Sequence, residues 1–483
     1  MKWVTLLRDK EGTLVNMDPA ADSLRLDPLV ALCQPEDADR ERVLVTQFLA
    51  ALRRVFNPRR DPELRRRLLR ALAHSPRCSR CAAACHIFES SGRDERYRPG
   101  LAADILRRLY FKHVQSGGRV SAWWHGDVEL DWTLVVQLVQ MAHRCNLCGR
   151  CVNSCGAADH PLVARELRAI FQEIGLVPAE KRCADVARVR ERIAEIDERT
   201  SRRAGIEVRT PWDIKGADVL LIQPASVVAD WPENVGALGL ILTLAGIKWT
   251  MSVELAGDDV GDVFTREGTQ LFETVQRYAE VAGGLNAKKI VVGESGEVCR
   301  VLCVNNNRLA LGEPNVPRES VLTLIRDIVR TRRMVFDPIR NDFPVTLHDP
   351  CNLVLRGVVE PQREVLRSLC PQFREMNPWG ERSYCCGGGG GLVQIEGARD
   401  WRVRVAGRKK IGQILDAFSE CVEDADTRKY VCVPCNSCKV QIRDLLTEHA
   451  PWEKNRILYG GLAELVANAI PAVQSGFLRW EWR

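Results

Sequence analysis

Nineteen cysteines in 483 residues, most of them gathered into short clusters, constrain this chain more than any other feature. They are too sparse for a small disulfide scaffold and too clustered for ordinary core use. The first ten residues hold no apolar run long enough for a secretory signal. Nowhere do about 18 apolar residues run together, so no transmembrane helix is expected. The longest apolar stretch, residues 235–242, suits a buried element. A reducing, cytoplasmic compartment is therefore expected, where clustered thiols mean metal or redox chemistry. The net charge of +6 comes from 69 basic and 63 acidic groups, an excess that does not argue for nucleic-acid binding. Arg65-Arg66-Arg67 reads as a solvated helix face.

The chain divides by pattern. Residues 1–70 read as a polar, then helical, N-terminal extension, with apolar spacing of three and four over 43–52. Residues 71–200 carry two cysteine clusters among helices predicted at 131–143 and 185–200, the latter charge-rich and solvated. A linker is expected at 201–216. Strands are then predicted at 219–222 and 290–292, with helices at 271–282 and 321–330. The order recurs with strands at 345–347 and 430–433 and helices at 362–369 and 402–418. Two α/β modules, 217–340 and 341–470, follow from this repetition, leaving 471–483 as a tail.

Cys145-x-x-Cys148-x-x-Cys151-x-x-x-Cys155 has the spacing by which ferredoxins wrap three thiolates around a cubane and lend the fourth to a partner cluster. Zinc knuckles, which pair C-x-x-C units, give no reason for four such evenly spaced thiols. Upstream, Cys78, Cys81 and Cys85 take the second to fourth places of the same template, with Ser75 in the first. Exchange between the motifs assigns Cys85, Cys145, Cys148 and Cys151 to one [4Fe–4S] site. Cys78, Cys81 and Cys155 are left for another, one ligand short. Ser75, Cys33, Cys183, an open iron or a three-iron cluster are the ways to fill that gap, and an empty site is the alternative.

His348-Asp349-Pro350-Cys351 follows a predicted strand, Cys385-Cys386 precedes five glycines, and Cys435-x-x-Cys438 ends another strand. Five thiols thus gather at the strand ends of one module, where α/β folds place ligands. The glycines let backbone N–H groups approach sulfur. They lack the G-x-G-x-x-G spacing of a nucleotide site.

This set resembles the cysteine-rich CCG domain of the heterodisulfide-reductase superfamily. Cys85-His86, residues 94–97, Pro99 and residues 106–110 are similar to the DsrK-like subunits of membrane-bound Dsr complexes and the related Hmc- and Tmc-type subunits. The resemblance spans about residues 70–465. It implies an α+β multidomain protein: a helical two-cluster ferredoxin-like domain followed by two α/β CCG modules. The first module is degenerate, because residues 223–226 and 293–296 carry no cysteine. The resemblance further implies a non-cubane [4Fe–4S] cluster on Cys351, Cys385, Cys386, Cys435 and Cys438, fed by the cubanes.

The activity so implied is reduction or formation of a disulfide-type bond in a thiol substrate, a small sulfur-carrier protein of the DsrC type, with either direction open. His348 or Lys439 is a candidate proton source. The alternative is a pure electron-transfer subunit, like that of glycolate oxidase. The chain lacks haem, flavin and nicotinamide motifs. A membrane cytochrome b partner, other complex subunits and a place at the inner face of the membrane are therefore implied, with the tail around Phe477 to Trp482 as a candidate docking element. The 48 residues between Cys386 and Cys435 exceed what the resemblance leads one to expect, and Cys33, Cys183, Cys299, Cys303, Cys370, Cys421 and Cys432 have no assigned role.

Overall fold

Asp37, Asp61 and Asp131 each accept a hydrogen bond from the backbone N–H three residues on, and so open the helices Ala38–Val55, Pro62–Leu72 and Trp132–His143. Asp159 does the same for His160–Glu173, with proline in its first turn. In the computed structural model, which describes residues 6–8, 14–16, 26, 28–30, 32, 35–73, 80–115, 127–156, 159–176, 185–258, 268–304, 316–474 and 477–478, these helices share one core. Phe48, Leu68, Ile105, Leu138, Leu167 and Phe171 lie at its centre, and the Phe48 and Phe171 rings stack at 5.7 Å. A short antiparallel ribbon, β1 (Leu6–Arg8) with β2 (Leu14–Asn16), precedes them.

The chain forms two units, residues 1–180 with 390–406, and residues 181–389 with 407–483. This corrects the expected boundaries in three places. The helices of residues 1–70 are part of the ferredoxin-like helical core rather than an extension to it. The helix Val186–Ala204 belongs to the second unit. Residues 390–406 leave the second CCG module and join the helical unit, where Trp401 stacks on Tyr97 at 6.4 Å. The single helix expected over 402–418 is accordingly broken, with a π turn at Arg402–Ala406 and a separate helix Arg408–Ala417.

The second unit contains two parallel sheets. β3 (Val219–Ile222), β4 (Trp249–Thr250), β5 (Ile290–Val292) and β6 (Arg318–Ser320) lie in the order β4-β3-β5-β6. β7 (Val345–Leu347), β8 (Phe373–Arg374), β9 (Lys429–Cys432) and β10 (Ile457–Gly460) lie in the order β10-β9-β7-β8. In each sheet the first strand sits beside the third, with the second and fourth outermost. Each has its switch point between first and third strands, where the crevice at the carboxyl ends accepts ligands.

The charge-rich helix Val186–Ala204 is not wholly solvated. Val189, Ile193, Ile196, Thr200 and Ala204 form a buried stripe against the helix Pro232–Leu244. Gly236 permits that crossing, since a Cβ there would strike Thr200 Oγ1. The expected linker after it is tied down, with Thr210 donating to the Asp197 carboxylate from N and Oγ1 at 2.7 and 2.9 Å and Trp212 bridging Met251. Residues 235–242 are buried as expected. Their helix packs on Leu462–Asn468 of the other module, with Asn234 donating to Glu464 at 2.8 Å. No helix among the described residues is long and apolar enough to cross a membrane. Phe477 and Leu478, part of the tail considered for docking, are instead buried in this chain; residues 479–483 lie outside the described residues.

Candidate metal centres

In the helical unit the chain turns sharply after Trp132–His143, with Leu147 and Gly149 at φ of 54° and 76°. The short helix Arg150–Cys155 follows and ends at Gly156. The buried Arg168 guanidinium holds this entrance. It donates to the carbonyls of Ala142 at 2.9 Å, Cys145 at 2.6 Å and Gly390 at 2.5 Å. These include a helix-terminal carbonyl and two loop carbonyls. Cys85, Cys145, Cys148 and Cys151 line one cavity, the four thiols assigned together from sequence. His86 and Asn146 share a 3.0 Å hydrogen bond beside it.

Helix Arg80–Ala84 packs on Arg150–Cys155, with Arg150 donating to the Ala84 carbonyl at 2.9 Å. The two cysteine motifs are thereby set side by side, as ligand exchange requires. Burial pushes the Cys85 thiol up to about 12, with Cys148 and Cys145 adding like-charge repulsion. Burial likewise raises Cys151, reinforced by Cys148, Cys145, Cys85 and Cys81. Thiols packed this tightly ionise together only when a cationic group offsets them, and this donor set suits iron. Of the second expected site, Cys81 is buried and Cys155 half-buried. Cys78, Ser75, Cys33 and Cys183 lie outside the described residues.

In the second unit the five remaining candidates stand at the switch point of the β7–β10 sheet. Cys351 follows β7 and opens the short helix Cys351–Val354. Cys435 caps the helix Asn436–His449, which carries Cys438 in its first turn. The thiols of Cys386 and Cys385, of Cys386 and Cys438, and of Cys435 and Cys438 are within hydrogen-bond reach of each other. Gly387 N–H points at Cys385 Sγ (3.5 Å) and Gly388 N–H at Cys386 Sγ (3.4 Å). A φ of 94° at Gly387 makes that turn possible. His348, Cys386 and Cys438 offer ligand atoms all within 4.8 Å of one another. His348 is fully buried and neither ring nitrogen has a hydrogen-bond partner. Burial, then the Lys410 ammonium, holds its pKa well below the ordinary imidazole range.

Charged groups ring this pocket. Asp349 is held by Arg363 through two bonds of 2.8 and 2.7 Å and by Gly380 N–H at 2.7 Å. Lys439, considered above as a proton source, is fully buried between Glu464 at 3.4 Å and Glu294 at 3.7 Å, so its charge is already offset there. Lys410, in the basic run Arg408-Lys409-Lys410, is fully buried. It donates to Ser383 Oγ at 3.2 Å and Met376 Sδ at 3.6 Å. Only the module's three-dimensional packing distinguishes it from Lys409.

At the ends of β3 and β5, among the described residues, the corresponding positions of the first sheet carry no thiol. Gln223 follows β3, buried with both amide atoms unpartnered, and Glu294 follows β5. Gly296 lies against the second module's site: a Cβ there would be 3.1 Å from Cys435 Sγ. The degenerate module thus supplies a wall. Cys299 and Cys303, buried with Sγ atoms 3.9 Å apart, lie on that wall's short helical segment. Cys370 and Cys432 are buried and Cys421 half-buried.

Comparison with known proteins agrees with this architecture. Residues 76–165 match the 4Fe-4S dicluster domain family, and residues 345–443 the cysteine-rich CCG domain family. The chain is 26 % identical over 458 residues to the Hdr-like menaquinol oxidoreductase iron-sulfur subunit 2 of Archaeoglobus fulgidus, covering 82 % of this chain and 79 % of the relative. It is 25 % identical over 380 residues to an Hdr-like menaquinol oxidoreductase iron-sulfur subunit of Archaeoglobus profundus, covering 66 % and 67 % respectively. A probable membrane-anchored ferredoxin of Chromohalobacter salexigens is 43 % identical over 105 residues, 20 % of this chain and 16 % of that one. No solved structure matches.

Proposed function

We propose that this chain, which belongs to the heterodisulfide-reductase-like CCG iron–sulfur proteins, is the subunit of a membrane-associated redox complex that cleaves or forms a disulfide-type bond. The observation that carries this reading is the gathering of Cys385, Cys386, Cys435 and Cys438 at one switch point, with Cys351 and His348 at the end of the neighbouring strand. A relay site needs only enough thiolates to hold a cluster. This one adds glycine N–H groups aimed at sulfur and a buried histidine with two unpartnered nitrogens, groups suited to a further sulfur ligand.

The reaction consumes two electrons and two protons as one S–S bond becomes two thiols, and the reverse releases them. An iron–sulfur cluster on these five cysteines supplies one-electron transfer and an iron that accepts sulfur. The chain's own residues do the rest. Gly387 and Gly388 donate to sulfur, Gly296 closes the wall beside Cys435, and the Asp349–Arg363 pair fixes the turn that carries Cys351. His348, kept neutral by burial and Lys410, presents a ring nitrogen within 4.8 Å of the Cys386 and Cys438 sulfurs for a hydrogen bond to a bound substrate. Cys85, Cys145, Cys148 and Cys151, and Cys78, Cys81 and Cys155, would hold the clusters that supply one-electron transfer.

The named relatives are menaquinol oxidoreductase subunits, which supports a quinol as the far end of that electron path. A cytochrome b subunit and a sulfur-carrier protein with terminal cysteines complete the proposed complex, docked at the inner face of the membrane through its partners. The test is to add a thiol substrate to the oxidised, anaerobically purified chain and record its electron paramagnetic resonance. A new signal that appears only with thiol, and is lost in C385A/C386A, is expected. Its absence at saturating thiol leaves the chain as an electron relay.

A further inference from the structure

Lys410 is an ammonium group in the interior of the second CCG module with no carboxylate paired to it among the described residues. Its side chain is fully buried and its hydrogen bonds go to a hydroxyl and a thioether. Among the described residues no carboxylate lies within ion-pair distance of it. The module's other fully buried cations are satisfied differently. Arg363 has Asp349 and Glu375, Lys439 has Glu294 and Glu464, and Lys429 is wrapped by three backbone carbonyls at 2.7–2.9 Å. Asp349, the acid felt most strongly by Lys410, has its carboxylate engaged by Arg363 and Gly380.

Burying a charge without a partner is destabilising. Ser383, to which Lys410 donates, stands two residues before Cys385, and after Asp349 the groups favouring its protonated form are Cys386, Cys385 and Cys438. Burial lowers its pKa to about 8, with Asp349 and these thiols opposing the shift.

We propose that the Lys410 ammonium is the fixed counter-charge of the thiolate-ligated centre at Cys385, Cys386, Cys435 and Cys438, a positioning residue that raises the centre's reduction potential. The proposal rests on the reading of those cysteines as a cluster site. A positive charge fixed in a low-dielectric pocket favours whichever redox state carries more negative charge, which is the reduced one. The same charge favours a substrate sulfur that leaves as thiolate. It does so without moving, which separates it from a proton donor.

The test uses the full-length, anaerobically purified chain with its clusters in place. Iron and sulfide are counted and a redox titration is followed by electron paramagnetic resonance, for wild type, K410M, K410R and C385A/C386A. The double variant identifies which signal belongs to the CCG site. K410M, similar in length but uncharged, is expected to keep its iron and shift that signal's midpoint to more negative potential. K410R should lie close to wild type, and the signals of the helical unit should not move in either.

If K410M loses iron from the CCG site while K410R keeps it, the charge is needed for assembly, which also supports the proposal. An unchanged midpoint in K410M, or loss of iron in both variants, overturns it, the latter because shape rather than charge then matters. A double variant identical to wild type would remove the centre itself and the functional reading with it. A centre that is present but indifferent to Lys410 removes this inference alone.

Discussion

Glu294 stands at the end of β5, where a cluster-binding first module would carry a thiol, and its buried carboxylate instead meets the second module. It accepts from Ala463 N–H at 2.8 Å and faces Lys439. Burial lifts its carboxyl from 4.5 to about 7, opposed by Lys439 and reinforced by Glu464. The folded chain therefore binds this proton more tightly than the unfolded chain does. The resulting stability is fully present below about pH 4.5 and is lost as pH rises through about 7. The thermal midpoint of the anaerobic protein should fall between pH 5.5 and pH 8, and E294Q should flatten that fall. Parallel curves for the two proteins would show that Glu294 does not titrate there. At this scale sequence spacing is a good guide to thiols, because cluster ligation fixes which cysteines recur at which intervals. It is a poor guide to cations: Lys439 is near a ligand in sequence but paired to two acids, whereas Lys410 is remote in sequence and faces the site.

Among the elements, the central strands are legible and the outer ones are not. β3, β5 and β7 are short apolar runs buried along their length. β4, β6 and β8 have two or three residues with polar members, such as Arg318 and Arg374, and are strands only because a central strand lies alongside. The break in the helix expected at 402–418 is likewise tertiary in origin, since 390–406 packs with the helical unit while Arg408–Ala417 stays with its module. Arg168 shows how one residue on the helix His160–Glu173 fixes another element's end. Its guanidinium holds Ala142, Cys145 and Gly390, and burial lowers its pKa to about 10, which leaves it charged. R168M should remove these hydrogen bonds, at about 1.5–3 kcal/mol for each charged hydrogen bond lost. The expected outcome is a lower thermal midpoint together with weakened retention of the cubane on Cys85, Cys145, Cys148 and Cys151, read as iron per chain. A variant with wild-type iron and midpoint would show that Arg168 does not hold the loop.

For the whole molecule, duplication organises the second unit, and its trace in the sequence is order rather than identity. Both sheets have the same strand order, yet one switch point holds Gln223 and Glu294 and the other holds thiols. The long interval between Cys386 and Cys435 has a physical origin that spacing alone could not reveal: residues 390–406 within it fold as part of the other unit. The remaining question at this scale is how many clusters the chain carries. Packing of Arg80–Ala84 on Arg150–Cys155 puts Cys81 close enough to Cys151 to affect its charge, and leaves Cys155 at the far end of the same short helix. Ligand exchange between the motifs would give a second site on Cys78, Cys81 and Cys155 in the same helical unit. About twelve iron and twelve sulfide per chain are therefore expected after anaerobic purification, four for each of three centres. C155A should fall to about eight while the CCG signal and the cubane fed by Cys85 persist, because Cys155 lies outside both of those sets. Wild type at about eight, unchanged in C155A, would mean that Cys78, Cys81 and Cys155 hold no cluster, and electrons would then pass through the helical unit by a single centre.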